Sequence, residues 1–300
     1  MVIKRPRLSR AGVERRNGWL LISPWLVGFI FLNFGSYIAA AVISFSDWDL
    51  RKGTFNNIGL RNFEHAFRDD LVGKSLINTL VYTGFHVPGI IILGFAVALL
   101  LNLKVKGLPV YRTMFYLPSI TAGAGMAIIW LWMMSPEGMF NGFLSWFGID
   151  GPRWFHNPST ALPALIFMSY WGIGGTMVLF LAGLQGVPDH LYDSAEVDGA
   201  GWFRKVRHIT VPLMTPYVFL SVVINVIGSF QVFTQALMTT EGGPDNATLF
   251  IFLYIYRMGW ENLRMGYASA IAWILFAVIL FFTLIQFWGG RRWVYYEYTG

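Results

Sequence analysis

The chain has 300 residues, of which 55% are hydrophobic and 17% aromatic, while only 13% are charged, about half the charged share of an ordinary soluble domain. That composition excludes a soluble globular enzyme and requires a lipid solvent, so the net charge of +6 reads as a topology signal rather than a nucleic-acid footprint. The absence of cysteine excludes disulfides, thiol catalysis and cysteine metal sites.

A helix needs roughly 20 apolar residues to cross the hydrocarbon core, and six uncharged runs are long enough: 18–46, 76–103, 113–134, 159–183, 213–238 and 266–289. All 22 basic and all 16 acidic residues fall outside them. The expected fold class is an all-α integral membrane protein with six transmembrane helices. Residues 1–17 form a basic cytoplasmic N-terminus. The apolar stretch behind it exceeds the roughly 7–15 residues of a signal-peptide core, so the first run is read as an uncleaved span. An extracytoplasmic segment, 47–75, follows, then the core, 76–289, with a loop at 184–212, and a cytoplasmic tail, 290–300. With the N-terminus inside, inner segments carry 14 basic residues and outer segments 8, the bias expected of cytoplasmic flanks.

Several signals carry no chemistry. Gly73-Lys74-Ser75 ends like a phosphate loop, but Arg68 stands where the first glycine is required. The five histidines, His65, His86, His156, His190 and His208, lack ligand spacing, so no metal site is expected, and His86, in the second run, is expected to bond a neighbouring helix. Asn246-Ala247-Thr248 matches a glycosylation acceptor too short to weigh. No nucleophile, histidine and acid share a motif, and no catalytic residue is expected. Because no charged side chain lies at membrane depth, the marks of proton relays and ion pumps are missing.

What is polar within the runs can be placed. Asn225 and Ser229 stand on one helical face, with Gly228 beside them. The fourth run carries "SYWGIGGTM" (169–177), which sets Tyr170 and Trp171 beside Gly172, Gly174 and Gly175. Two readings stay open. One is helix packing through small, amide and hydroxyl groups; the other is a cavity of aromatic faces and neutral hydrogen-bonding groups suited to an uncharged sugar.

The loop "LQGVPDHLYDSAEVDGAGWFRKVRHITVP" (184–212) holds four carboxylates and three cations. Pro188 suits a first helical turn, and Asp189 and Asp193 lie near that helix's positive end. A helix over about 188–197 is predicted, ended by a left-handed Gly199. Asp198 is placed to cap a second short helix beginning near Gly201, and Pro212 marks entry to the fifth span. Ala195, Gly199, Ala200 and Gly201 leave the bend nearly bare, so another surface can approach its backbone.

The same stretch resembles the EAA signature of permease subunits of binding-protein-dependent ABC importers of the maltose-type sugar class, with Asp198-Gly199-Ala200 at its core, the flanking "LY" and the closing "ITVP" at family spacing. "IGLRNF" (58–63), "NT" (78–79), "RTMFYLP" (112–118), "GMFNGFLSWFG" (138–148), "GGPDNAT" (242–248) and "GYASAIAW" (266–273) resemble further family segments in order. One departure stands out: the family's Glu-Ala-Ala opening is here Asp193-Ser194-Ala195, which keeps the charge and shortens its reach by one methylene.

The resemblance implies a type I importer (MetI-like) permease fold with both termini cytoplasmic. Asp193, Ser194, Ala195, Asp198, Gly199, Ala200 and Pro212 would belong to a coupling helix seated in a cytoplasmic ATPase. Asn225, Gly228 and Ser229 fall at sugar-contacting positions, together with Trp171, Gly172 and Gly175. Gly242, Gly243 and Pro244 would meet the solute-binding protein. The implied function is a transporter subunit, not an enzyme, that moves a neutral carbohydrate by alternating access in a bacterial or archaeal cytoplasmic membrane. Its implied partners are a second permease subunit, two ATPase subunits that bind ATP and magnesium, an extracytoplasmic solute-binding protein, the carbohydrate and the bilayer. No cofactor is expected in the chain and no nucleic acid among its partners. Alternatives are an importer permease for glycerol-3-phosphate or another polyol-type solute, a multi-span membrane enzyme acting on a lipid-linked sugar, and a passive channel.

Overall fold

The computed structural model describes residues 10–103, 106–121 and 123–295. Part of the basic N-terminus (1–9), Lys104 and the last five residues of the C-terminal tail lie outside the described residues. In chain order the helices are α1 (Ala11–Ser44), α2 (Arg61–Arg68), α3 (Asp70–Leu101), α4 (Leu108–Ile120), α5 (Gly123–Met133), α6 (Met139–Ser145) and α7 (Pro158–Gly172). They continue with α8 (Gly174–Gln185), α9 (Asp189–Val197), α10 (Trp202–Phe230), α11 (Thr234–Thr239), α12 (Ile251–Tyr256) and α13 (Met265–Gly290). Among the described residues there is no β-strand, only two isolated bridges, Ser46 to Asn57 and Asp49 to Thr54.

Four helices, α1, α3, α10 and α13, are long and apolar enough to cross a membrane unbroken, and two bent pairs bring the number to 6 if each pair is one span. The bent pairs are α4 with α5 and α7 with α8, the second bent by 45°. An uncharged run shows length but not where the backbone breaks. In the third run Pro118 sits in the last turn of α4 and Thr121 is extended, with φ −72° and ψ 135°, as expected where proline removes a donor and crowds the preceding turn. In the fourth, a 3₁₀ turn over Tyr170–Gly172 separates the halves.

Local signals set several starts. Asp69 caps α3 by accepting the Leu71 N–H at 2.9 Å, and Asn157 caps α7 through the Ser159 N–H at 3.0 Å ahead of Pro158. The fifth span corrects the sequence reading. Instead of a second short helix followed by a span from 213, one helix of 29 residues runs from Trp202 to Phe230. Pro212 lies inside it, beyond a π turn over Val206–Thr210, the local adjustment that lets a membrane helix carry proline. The expected run to 238 is broken after Phe230, and its end forms the separate α11.

Helix α3 lies at the centre, against α7, α8, α10 and α12, while α13 packs on α10 and on the Gly35–Ser44 end of α1. Two apolar cores result. One includes Tyr82, Trp130, Met168, Phe230, Phe250 and Ile271, and the other Ala98, Met177, Phe180, Leu184 and Met214. Lipid is as apolar as leucine, so contact between spans depends on close approach at small residues. Accordingly, a Cβ on Gly94 would lie 2.8 Å from Thr176 Cγ2, and one on Gly183 would lie 2.7 Å from the Tyr217 ring.

At Gly174 the neighbour is backbone, which cannot swing aside: an added Cβ would lie 2.7 Å from the Phe115 carbonyl oxygen of α4. Gly174→Ala is expected to destabilise the protein by about 1–3 kcal/mol through overpacking. A thermal unfolding midpoint unchanged in detergent would refute that close approach.

Candidate functional site

On the side assigned to the cytoplasm, α9 and α10 meet at an elbow built by the backbone. Gly199 has φ +74°. The Ala200 N–H reaches Ala195 O at 2.8 Å and the Gly199 N–H reaches Glu196 O at 3.0 Å, the paired bonds of a Schellman ending. Asp198 is therefore the C-cap of α9, and Gly201, not Asp198, precedes α10. The expected cap fails because Gly199 and Ala200 separate Asp198 from the next helical turn.

Side chains then fix the elbow's opening. Lys205 Nζ donates to Glu196 Oε2 at 2.7 Å, and Tyr192 Oη meets Thr210 Oγ1 at 3.0 Å. The hydrogen bond from Lys205 and its charge hold the Glu196 carboxyl below the usual range. Asp193, Ser194, Asp198 and Gly199 are exposed, Ala195 and Ala200 half-buried. Val197, 89% exposed, stands with exposed Trp202 and Phe203 at the outer corner, an apolar surface on an otherwise charged loop.

At membrane depth the structure divides the two readings of the polar groups. Ser229 is only 3% exposed, and its hydroxyl lies within hydrogen-bond distance of Thr83 Oγ1 of α3, at 2.9 Å, and of Val226 O, at 2.8 Å. It therefore joins helices. Asn225 Nδ2 donates to Ser221 O at 2.9 Å and to Thr176 Oγ1 of α8 at 3.3 Å, leaving the group half-buried. Gly228 is exposed, and nothing lies within 4 Å of where its Cβ would stand. The same is true of Gly172 and Gly175, next to exposed Trp171. The Trp171 ring meets Trp130 edge-on, with centroids 5.7 Å apart.

Sequence reading missed Thr83 and Thr176, which nothing distinguishes from other packing threonines until their partners are seen. It placed His86 correctly against a neighbouring helix: its Nδ1 lies 2.7 Å from Ser169 Oγ. The ring stacks between Tyr82 and Tyr170, at 5.1 and 6.2 Å, and the Tyr170 hydroxyl donates to Phe85 O at 2.8 Å. These contacts seat the bend between α7 and α8 on α3. Among the described residues there is no group of three or more histidines and carboxylates able to hold a metal.

On the side assigned to the exterior by the charge bias, the loop Gly242–Thr248 is tied to the start of α3. Lys74 Nζ donates to Asp245 O, Asn78 Nδ2 to Asn246 O at 2.8 Å and to Leu249 O at 3.1 Å. Thr79 Oγ1 accepts the Ile251 N–H at 3.1 Å. Within the loop, Gly242 has φ +81° and Thr248 Oγ1 donates to Gly243 O at 2.6 Å. Below it, Asp69 Oδ2 accepts hydroxyls from Tyr254 and Tyr267, each at 2.6 Å. One carboxylate thus joins α3, α12 and α13.

Burial pushes the Asp69 carboxyl up, but the hydrogen bonds from Tyr254, Tyr267 and the Leu71 N–H together outweigh it and leave it below its usual 3.8. A carboxyl depressed on folding contributes stability above its unfolded pKa and loses it as pH falls through the folded value. Asp69→Asn is expected to cost about 2 kcal/mol at neutral pH. It should also flatten the fall in melting temperature on acidification below pH 4, and an unaltered acid limb would exclude the clamp.

This combination of short-loop elbow, neutral span interior and tied outer loop is that of a solute permease. Residues 70–295 match the family described as binding-protein-dependent transport system inner membrane component, and the chain belongs to that family. It is 38% identical over 287 residues to the probable ABC transporter permease protein YesP of Bacillus subtilis, covering 93% of this chain and 92% of that protein. It is 33% identical over 279 residues to the diacetylchitobiose uptake system permease protein NgcF of Streptomyces coelicolor, covering 86% and 77%. The fold matches a chain of a bacterial ABC transporter involved in import of the acidic polysaccharide alginate, with a TM-score of 0.83 and 24% identity over 95% of this chain and 99% of that one.

Proposed function

We propose that this permease is one half of a heterodimeric pore that carries a neutral sugar or oligosaccharide across a bacterial or archaeal cytoplasmic membrane by alternating access. The observation that carries this reading is the α9–α10 elbow: an exposed, backbone-defined corner joined without a break to a membrane-spanning helix. A partner ATPase that grips α9 through Asp193, Ser194, Ala195, Asp198, Gly199 and Ala200 would move α10 as one rod, with Pro212 inside it. ATP and magnesium bind that partner, and this chain hydrolyses nothing.

The solute passes Gly228 and Asn225 on α10, with Trp171, Gly172 and Gly175 offering an aromatic face and open backbone. Ser229 holds α10 on α3 and acts indirectly. The uncharged runs favour a neutral solute, in line with the diacetylchitobiose named for the Streptomyces relative. The outer loop at Gly242, Gly243 and Pro244 receives the solute-binding protein.

Reconstitution into proteoliposomes with the second permease, two ATPases and the binding protein tests this. Labelled saccharide should accumulate only when ATP and the binding protein are both present. Accumulation without either would point to a channel or facilitator and overturn the proposal.

A further inference from the structure

Between the third and fourth spans, on the outer side, α6 and the residues after it leave an aromatic surface that neither core absorbs. From Gly138 to Ile149 the chain has no charged residue, while Glu137 and Asp150 stand at its two ends. The helix has two apolar sides. Phe140 and Asn141 face inward: the Phe140 ring stacks on Trp130 at 5.6 Å. Asn141 Nδ2 donates to Pro136 O at 3.2 Å and to Pro152 O at 3.3 Å, while its Oδ1 accepts the Trp154 Nε1–H at 2.8 Å. The segment is thus held rigidly from beneath.

The other side carries Phe143, Trp146 and Phe147, all exposed, Trp146 at 81%. Their rings contact one another, Phe143 to Trp146 at 5.9 Å and to Phe147 at 5.2 Å. Gly148, at φ +69°, ends the turn. A contiguous aromatic patch in water is unfavourable and marks an interaction surface.

We infer that residues 139–149 form a foot resting in the headgroup layer of the outer leaflet, with Phe143, Trp146 and Phe147 inserted at the acyl boundary. Its occupant is the bilayer itself. Position argues for this: α5 ends at Met133, six residues before the foot begins at 139, and α7 begins at Pro158, nine residues after it ends at 149, so the foot is tethered between the ends of two spans. Chemistry agrees, since tryptophan and phenylalanine without charge are the residues that settle at that depth. The inner side gives the foot a consequence, because Phe140 touches Trp130 and Trp130 meets Trp171. The lipid surface thereby helps to seat an aromatic ring of the proposed solute path. The placement itself does not depend on which solute is carried.

The chain has no cysteine, which makes a direct test simple. Single cysteines at Phe143, Trp146 and Phe147, and at Glu137 and Asp150 as controls, are nitroxide-labelled in the importer assembled with cysteine-free partners. The complex is placed in nanodiscs of phosphatidylethanolamine and phosphatidylglycerol, and collision rates with oxygen and with a water-soluble nickel chelate are measured. Oxygen should exceed nickel at two or more of the three aromatic positions, and nickel should exceed oxygen at both controls. Nickel-favoured collisions at two of the three would place the patch in water and overturn the inference. Shielding from both reagents, before or after adding the binding protein, would place it under protein and overturn it equally. Using three positions keeps the result decisive if one replacement fails to fold.

Discussion

Replacing Gly199 by valine is expected to lower ATP-driven uptake roughly thirtyfold while leaving the permease inserted and folded. The residue has φ +74° and nothing within 4 Å of where a Cβ would stand, so the substitution meets no neighbour. The strain is conformational. A β-branched residue in the left-handed region costs about 1–3 kcal/mol, and relaxing it breaks the bonds from Ala200 N–H and Gly199 N–H that end α9. Those bonds set the angle at which α9 leaves α10. A bias of about 2 kcal/mol against the docked geometry lowers its population roughly thirtyfold. Gly199→Asn, which tolerates that conformation, should retain most activity. Proteoliposome uptake normalised to membrane-inserted protein decides the matter, and wild-type rates for the valine variant would sink the coupling role.

Gly228→Leu should have the second-largest effect, through a different cause. Space around Gly228 is open within this chain, so the added side chain does not disturb folding and projects from the exposed face of α10. If solute passes there, uptake falls about tenfold or more while ATP hydrolysis stimulated by the binding protein persists. Ser229→Ala makes the contrast: it loses the bond to Thr83, costs about 1 kcal/mol of stability and leaves uptake largely intact. The two neighbours separate the path from the packing. Equal loss in both variants would show that the face of α10 matters only for assembly.

Which parts of this were legible in advance follows from what each signal measures. Absence of charge reports the solvent, so the spans were found, to within a few residues for α13. It does not report backbone continuity, and the breaks at Thr121 and at Tyr170–Gly172 escaped it. Gly199 was read correctly because a left-handed helix ending is a local event. Asp198 was not, because capping depends on how many residues separate two helices. Asn225 and Ser229 were grouped by spacing on one face, yet the face turns between α8 and α3, and only tertiary contacts reveal which side is lined and which is open. The Asp69 clamp was invisible for the same reason: its partners lie 185 and 198 residues away.

The length of α1 has its own consequence. Its 34 residues rise about 51 Å, against a hydrocarbon core of about 30 Å. Its Ser44 end is pinned, since Asn62 Nδ2 donates to Ser44 O and Ser46 O at 2.9 and 2.8 Å, while none of its most apolar 18-residue window is buried within the chain. Of that length, the uncharged residues 18–44 rise only about 40 Å, so the rest of the rod is a charged extension beyond the apolar run. Arg15 and Arg16 ride on that extension, so the basic flank that first indicated orientation is carried on the span's own helix rather than on a separate loop.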